Sequence, residues 1–285
     1  MSDPLQQLIA LLTLEKIDEN LYRGQSEATD WGRVYGGQVI AQALSAAAQQ
    51  VDPDRHIHSF HSYFLRPGNP DYPIIFEVES NLDAGTISNR RVKAVQRGQP
   101  IFYMTCSFQL NIDGFDHQCA MPEVPPPDNL PKELELSAEA IRLAPEEWLP
   151  KFNAVRAIDF RAANHKDPDQ VSTNKRMWMR PNGPLPANPC IHNYLLAYAS
   201  DFFFLSTASQ PHNILFMTED MRMATIDHSM WFHRPFNFND WLLYDMESPS
   251  ASNGRGFVLG KIYDRAGRLV ASSTQEGIMR KKRGA

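Results

Sequence analysis

"HSYFLRP" (61–67) and "SMWFHRP" (229–235) are one motif written twice. Setting Arg66-Pro67 on Arg234-Pro235 fixes an offset of 168 residues, and that offset lays "IIFEVES" (74–80) on "LLYDMES" (242–248) without a gap. Aliphatic, aliphatic, aromatic, acid, apolar, Glu and Ser coincide in order. Internal similarity at so long a period means a duplicated unit rather than a solenoid.

Working outward, each copy reads as a helix followed by strands. "GGQVIAQALSAAAQQ" (36–50) is apolar nearly all round, which marks a buried helix, and its counterpart is "IHNYLLAYASDFFFLSTAS" (191–209). After each helix come four extended runs, separated by Gly-containing hairpin loops such as "QRGQP" (96–100) and "DRAGR" (264–268). One apolar helix and four antiparallel strands bury each other best as a curved sheet wrapped around the helix, an α+β architecture. Two such units can pair their sheets edge to edge and so protect the open edges. The spacing predicts a first unit over 1–112, a proline-rich structured connector over 113–173 with helix in "LSAEAIRLAPEEWLPKF" (136–152), and a second unit over 174–285 that opens with the strand "NKRMWMR" (174–180).

Composition narrows the partners. The 285 residues carry 28 basic and 33 acidic side chains, a formal charge of −5, with 42% hydrophobic and 21% charged residues. No basic stripe with interleaved aromatics is present, which argues against nucleic acid. No run approaches the ~18 apolar residues of a membrane span, and the acidic start at Asp3 is unlike a secretory leader. Cys106, Cys119 and Cys190 have no metal or disulfide spacing, so reduced thiols in the cytoplasm are expected.

"ATIDHSMWFHRPF" (224–236) places Asp227, His228 and Ser229 side by side. It is not read as a serine-hydrolase triad. No GxSxG elbow occurs in the chain, and neighbours on a strand face alternate sides. Asp201 is the more informative residue, a carboxylate inside an apolar helix where the first unit has no acid between Gly36 and Gln50. Its plain alternative is a solvent-exposed aspartate at a helix end. Its functional reading is a general base whose pKa is raised by desolvation. The offset sets Thr225 on Ile57 and, after the hairpins, Gln275 on Cys106, so neither has a polar equivalent in the first unit.

Taken together, "LYRGQS", "VYGGQVIAQAL", "HSFHSYFLRPG", "GQPIFYM", "LLAYASD", "ATIDHSMWFHRPF" and "STQEG" make the chain similar, over essentially its whole length, to the acyl-CoA thioesterase II family. The resemblance implies a tandem (double) hotdog fold and hydrolysis of fatty acyl-CoA to free acid and CoA without metal or organic cofactor. In that family the positions matching Asp201, Thr225 and Gln275 are the catalytic residues. Water activated by Asp201 and held by Thr225 and Gln275 is the expected mechanism, with a covalent acyl-Asp step as the other possibility. Candidate substrate contacts are Gly36 and Gly37, as backbone N–H donors to the oxyanion, Phe202 along an acyl tunnel with Met217, Met221, Met223 and Met230, against ordinary core packing, and Arg90 and Arg91 on the CoA phosphates, against solvated strand charges. Association into a homo-oligomer, a dimer or tetramer, is implied as well. Two other readings stay open: a hotdog enoyl-CoA hydratase or dehydratase using Asp227 and His228, and a non-catalytic acyl-CoA binding module.

Overall fold

The computed structural model describes residues 3–27, 32–131, 157–164, 172–212, 214 and 221–282. Its centre is a single antiparallel sheet of twelve strands in the order β1-β2-β4-β5-β6-β3-β9-β12-β11-β10-β8-β7. The first six are β1 (Glu15–Asp18), β2 (Leu21–Gly24), β3 (His56–Phe64), β4 (Ile74–Ala84), β5 (Ile87–Gln96) and β6 (Gln99–Gln109). The others are β7 (Ile158–Ala162), β8 (Asn174–Pro181), β9 (Met221–Phe232), β10 (Leu242–Ser252), β11 (Arg255–Asp264) and β12 (Leu269–Lys281).

The duplication is written into this order. β4 and β10 begin and end 168 residues apart, and so do β5 and β11. The two units meet where β3 pairs with β9, and His61 there faces Ser229, its own counterpart. Even an irregularity is repeated. β3 skips a residue between Ile57 and Ser59 in its pairing with β6, and β9 skips one between Thr225 and Asp227 in its pairing with β12. Such a bulge reverses the inward–outward alternation from that point on.

Helix α2 (Gly36–Ala48) lies on β4, β5 and β6 of the first unit. Its buried amides Gln38 and Gln42 are satisfied by the carbonyls of Gln25 and Leu11, as buried polar groups must be. The one helix expected over 191–209 is two, α3 (Pro189–Ala199) and α4 (Phe204–Ser209). The break follows from two local facts: Phe203 takes a left-handed φ of 61°, and the Ser200 carbonyl is claimed by the Tyr244 hydroxyl at 3.0 Å. α3 packs on α2 and on α1 (Pro4–Leu12), while α4 packs on β9 to β12.

β7 lies inside the stretch read as connector but forms the edge strand beside β8. The helix expected over 136–152 falls outside the described residues. Among the described residues no helix is long and apolar enough to cross a membrane.

Candidate active site

The N-terminus of α2 in the first unit meets the break between α3 and α4 in the second. Tyr35, the residue capping α2, makes no side-chain cap hydrogen bond, which leaves the helix's leading N–H groups without an internal partner. The Asp201 carboxylate, from the other unit, accepts the Gly37 N–H instead. Two glycines make the approach possible. A Cβ on Gly36 would stand 2.6 Å from Asp201 Oδ2, and one on Gly37 would stand 2.3 Å from the Tyr198 carbonyl. The Tyr35 hydroxyl donates to that same carbonyl at 3.0 Å. The positive end of α2 and the negative end of α3 therefore both border the carboxylate.

Thr225 and Gln275 complete the group. Both hydrogen-bond Asp201, and the Gln275 Nε2 donates to Thr225 Oγ1 at 2.9 Å. Burial pushes the Asp201 pKa up from 3.8 to about 6, against the lowering effect of the Gly37 amide, Gln275 and Thr225. Part of the residue still meets solvent, as a group that must reach a substrate requires. The three residues singled out from the sequence thus come together at one carboxylate.

The other expected contacts divide. Gly36 and Gly37 lie at the site, but the Gly37 N–H is engaged by Asp201. Phe202 lies beside it, 4.7 Å from the Tyr35 ring and 5.1 Å from Phe160. Met230 is buried in the common core, Met221 and Met223 pack against that core, and Met217 falls outside the described residues.

Arg90 and Arg91 are not at the site. Arg90 is buried, ion-paired to Asp83 at 2.8 Å, and donates to the Gln50 carbonyl just beyond the far end of α2. A helix of 13 residues spans about 20 Å, so Arg90 sits that far from Gly37. Arg91 points to the opposite face of the sheet, where it meets the Tyr103 ring and Glu79.

Asp227, His228 and Ser229 diverge. Asp227 accepts the Glu276 N–H at 3.0 Å, and Ser229 bonds His61 Nδ1 at 3.1 Å. His228 is fully buried, with Nδ1 2.7 Å from Gln275 Oε1 and Nε2 3.0 Å from Ser200 Oγ. Alternation along the strand separates His228 from Thr225 when counted from sequence, yet the bulge at Ile226 returns both to one face. The repeat of "HS" at His61-Ser62 hid this, because it matched the motif and not the register. The Tyr244 hydroxyl, 3.0 Å from the Ser200 carbonyl and 2.8 Å from Ser273 Oγ, was also missed; its signal was the offset to Phe76.

Comparison with known proteins agrees in both halves. A family model described as acyl-CoA thioesterase matches residues 152–278, and one described as acyl-CoA thioesterase N-terminal domain matches residues 26–109. Acyl-CoA thioesterase 2 of Haemophilus influenzae is 42% identical over 283 residues, 98% of this chain and 99% of its own length. The crystal structure of an acyl-CoA thioesterase II, TesB2, from Mycobacterium marinum superposes with a TM-score of 0.81 at 38% identity, covering 98% of this chain and 99% of the other. A hot dog fold protein of unknown function from Alicyclobacillus acidocaldarius shares the architecture alone, with a TM-score of 0.78 at 19% identity over 96% of this chain and 98% of its own.

Proposed function

The chain belongs to the acyl-CoA thioesterase family, with the double hotdog fold, and from that premise we propose that it hydrolyses medium- to long-chain fatty acyl-CoA using a water held at Asp201, Thr225 and Gln275. The observation that carries this reading is the convergence of both side chains and the Gly37 amide on one carboxylate of raised pKa. Asp201 ionised near neutrality accepts a proton from water as its oxygen attacks the thioester carbonyl. Gln275 and Thr225 hold Asp201 and fix the line of attack. The tetrahedral intermediate then collapses with cleavage of the C–S bond, and the proton on Asp201 passes to the departing CoA sulfur. The acid is released with one oxygen from water, and no metal is required to polarise so electrophilic a carbonyl.

The same environment weighs against the hydratase reading, since Asp227 and His228 do not point to a common centre. We assign the first unit to 1–112, the connector to 113–173 and the second unit to 174–285, with β7 a strand the connector lends to the second unit's half of the sheet. A cytoplasmic homo-oligomer is part of this proposal, and sedimentation velocity tests its assembly: a monomer at micromolar concentration would overturn that part.

Thiol release from saturated acyl-CoA of increasing chain length, followed with a thiol-reactive dye, tests the substrate and the base together. Wild type should turn over medium and long chains, and Asp201→Asn should lose about 10²- to 10⁴-fold in kcat. Full activity in Asp201→Asn would remove the carboxylate from the chemistry.

A further inference from the structure

Among the described residues, His228 is the titratable side chain bound to both flanks of Asp201. Its Nδ1 lies 2.7 Å from Gln275, a partner of the carboxylate, and its Nε2 lies 3.0 Å from Ser200, the residue before it. Ser200 and Gln275 are themselves buried. The Phe60 ring stacks on the imidazole at 5.9 Å and Phe204 meets it edge-on at 5.6 Å, so the ring is confined.

Hydrogen-bond logic then fixes the protons of Gln275 and His228. An ionised carboxylate only accepts, so the Gln275 NH₂ must face Asp201 and Thr225. Its Oε1 is left toward His228 and needs a donor, which is Nδ1–H. Nε2 then carries a lone pair toward the Ser200 hydroxyl, whose single proton is shared between Nε2 at 3.0 Å and the Ala197 carbonyl at 2.9 Å.

The first unit is an internal control. The strand pair His228–Gln275 stands where the first unit has Phe60–Cys106, each directly opposite across β9–β12 and β3–β6. Tyr244 and Ser273 likewise replace Phe76 and Met104. The same packing is therefore built with apolar side chains where no acid stands in front of the helix, and with a polar chain only behind Asp201.

We propose that His228, neutral and protonated on Nδ1, is a positioning residue that locks the Gln275 carboxamide and Ser200 and so aims the Asp201 carboxylate at water. The proposal rests on the reading of Asp201, Thr225 and Gln275 given above. Burial holds the imidazole pKa down at about 4, which keeps Nε2 free of its second proton at working pH.

The test is steady-state thioesterase kinetics on His228→Leu, His228→Asn and His228→Gln, with Asp201→Asn alongside. Leu removes the donor, and a misplacement of this kind costs on the order of 10²-fold in kcat with KM little changed. Asn places an N–H where Nδ1 stood and should restore most of the loss. Gln reaches the Nε2 position instead and should not. In a Gln275→Ala background His228→Leu should cost much less than in wild type, because only the Ser200 contact is left to lose. Nitrogen-15 chemical shifts should report the Nδ1–H tautomer in wild type.

Loss in Asp201→Asn with full kcat in His228→Leu would overturn the positioning role and leave the site reading intact. Full activity in Asp201→Asn would overturn the site reading itself. An additive loss in the Gln275→Ala background, or equal losses in Asn and Gln, would mean that His228 acts by packing alone. If His228→Leu does not fold, the Asn-against-Gln comparison decides.

Discussion

Asp201 is held in a state that suits proton abstraction better than it suits folding. With its pKa pushed up from 3.8 to about 6, the folded chain binds its proton more tightly than the unfolded chain does. The stabilising contribution is therefore complete below pH 4 and is lost as pH rises through 6. Relative to acid conditions, Asp201 makes the fold up to about 3 kcal/mol less stable at pH 8, at 1.36 kcal/mol per tenfold change in proton affinity. Unfolding of wild type and Asp201→Asn by urea at pH 4 and pH 8 checks the sign: the variant should gain on wild type as pH rises. Activity has the opposite dependence. kcat/KM should fall tenfold per pH unit below about 6, because the base must be ionised to act; a profile flat down to pH 4.5 would exclude a base of that pKa. Ser229→Ala should keep most of the turnover, since Ser229 faces His61 and not the site. At this scale Asp201, Thr225 and Gln275 were legible because one copy of a repeat kept polar residues that the other lacks. His228 was not, because its face depends on a bulge that no sequence periodicity announces.

Among elements, the approach of α2 to the α3–α4 break sets the site, and it is intolerant of added volume. Gly36→Ala would put a methyl against Asp201 Oδ2, and Gly37→Ala would put one against the Tyr198 carbonyl. The first should fold and lose about 10²-fold or more in kcat, as a displaced base does. The second meets backbone, which cannot swing aside, and should lower the melting temperature by several degrees as well. Circular dichroism melts of the two variants separate these effects. Gly260 has a similar place on the other side: a methyl there would stand 2.5 Å from Ser273 Oγ and from the Tyr244 ring. The four strands after each helix, and the Gly hairpin joining the last two, were legible in the sequence; the pairing order and the short strands β1, β2 and β7 were not. Nor was the helix break. "YASDFFFL" holds neither Gly nor Pro, and what ends α3 is tertiary: a hydroxyl from β10 takes a carbonyl that the helix would otherwise use.

Among the described residues the twelve strands form one sheet, and its two units share one large apolar cluster, with a smaller one around Trp178 and Trp241. The larger cluster runs from Leu5 to Met279, and β3–β9 pairing closes one edge of each unit, leaving β1 and β7 as the edges of the joint sheet. Thermal unfolding should therefore be a single transition, with calorimetric and van't Hoff enthalpies equal. Two resolved transitions would mean that the units are separately stable. Residues 113–285 expressed alone keep Asp201, Thr225 and Gln275 but lack Gly37, and should show no thioesterase activity.

That Gly37 and Asp201 come from opposite copies bears on how such a chain can change over generations. In an assembly of two identical subunits every substitution appears twice, so a residue that helps one site by being polar must be polar in both. Joining the copies on one chain removes that coupling. Phe60 can serve hydrophobic packing while His228 bonds a glutamine, and each half can change on its own while the Asp201 carboxylate stays anchored to the helix of the other.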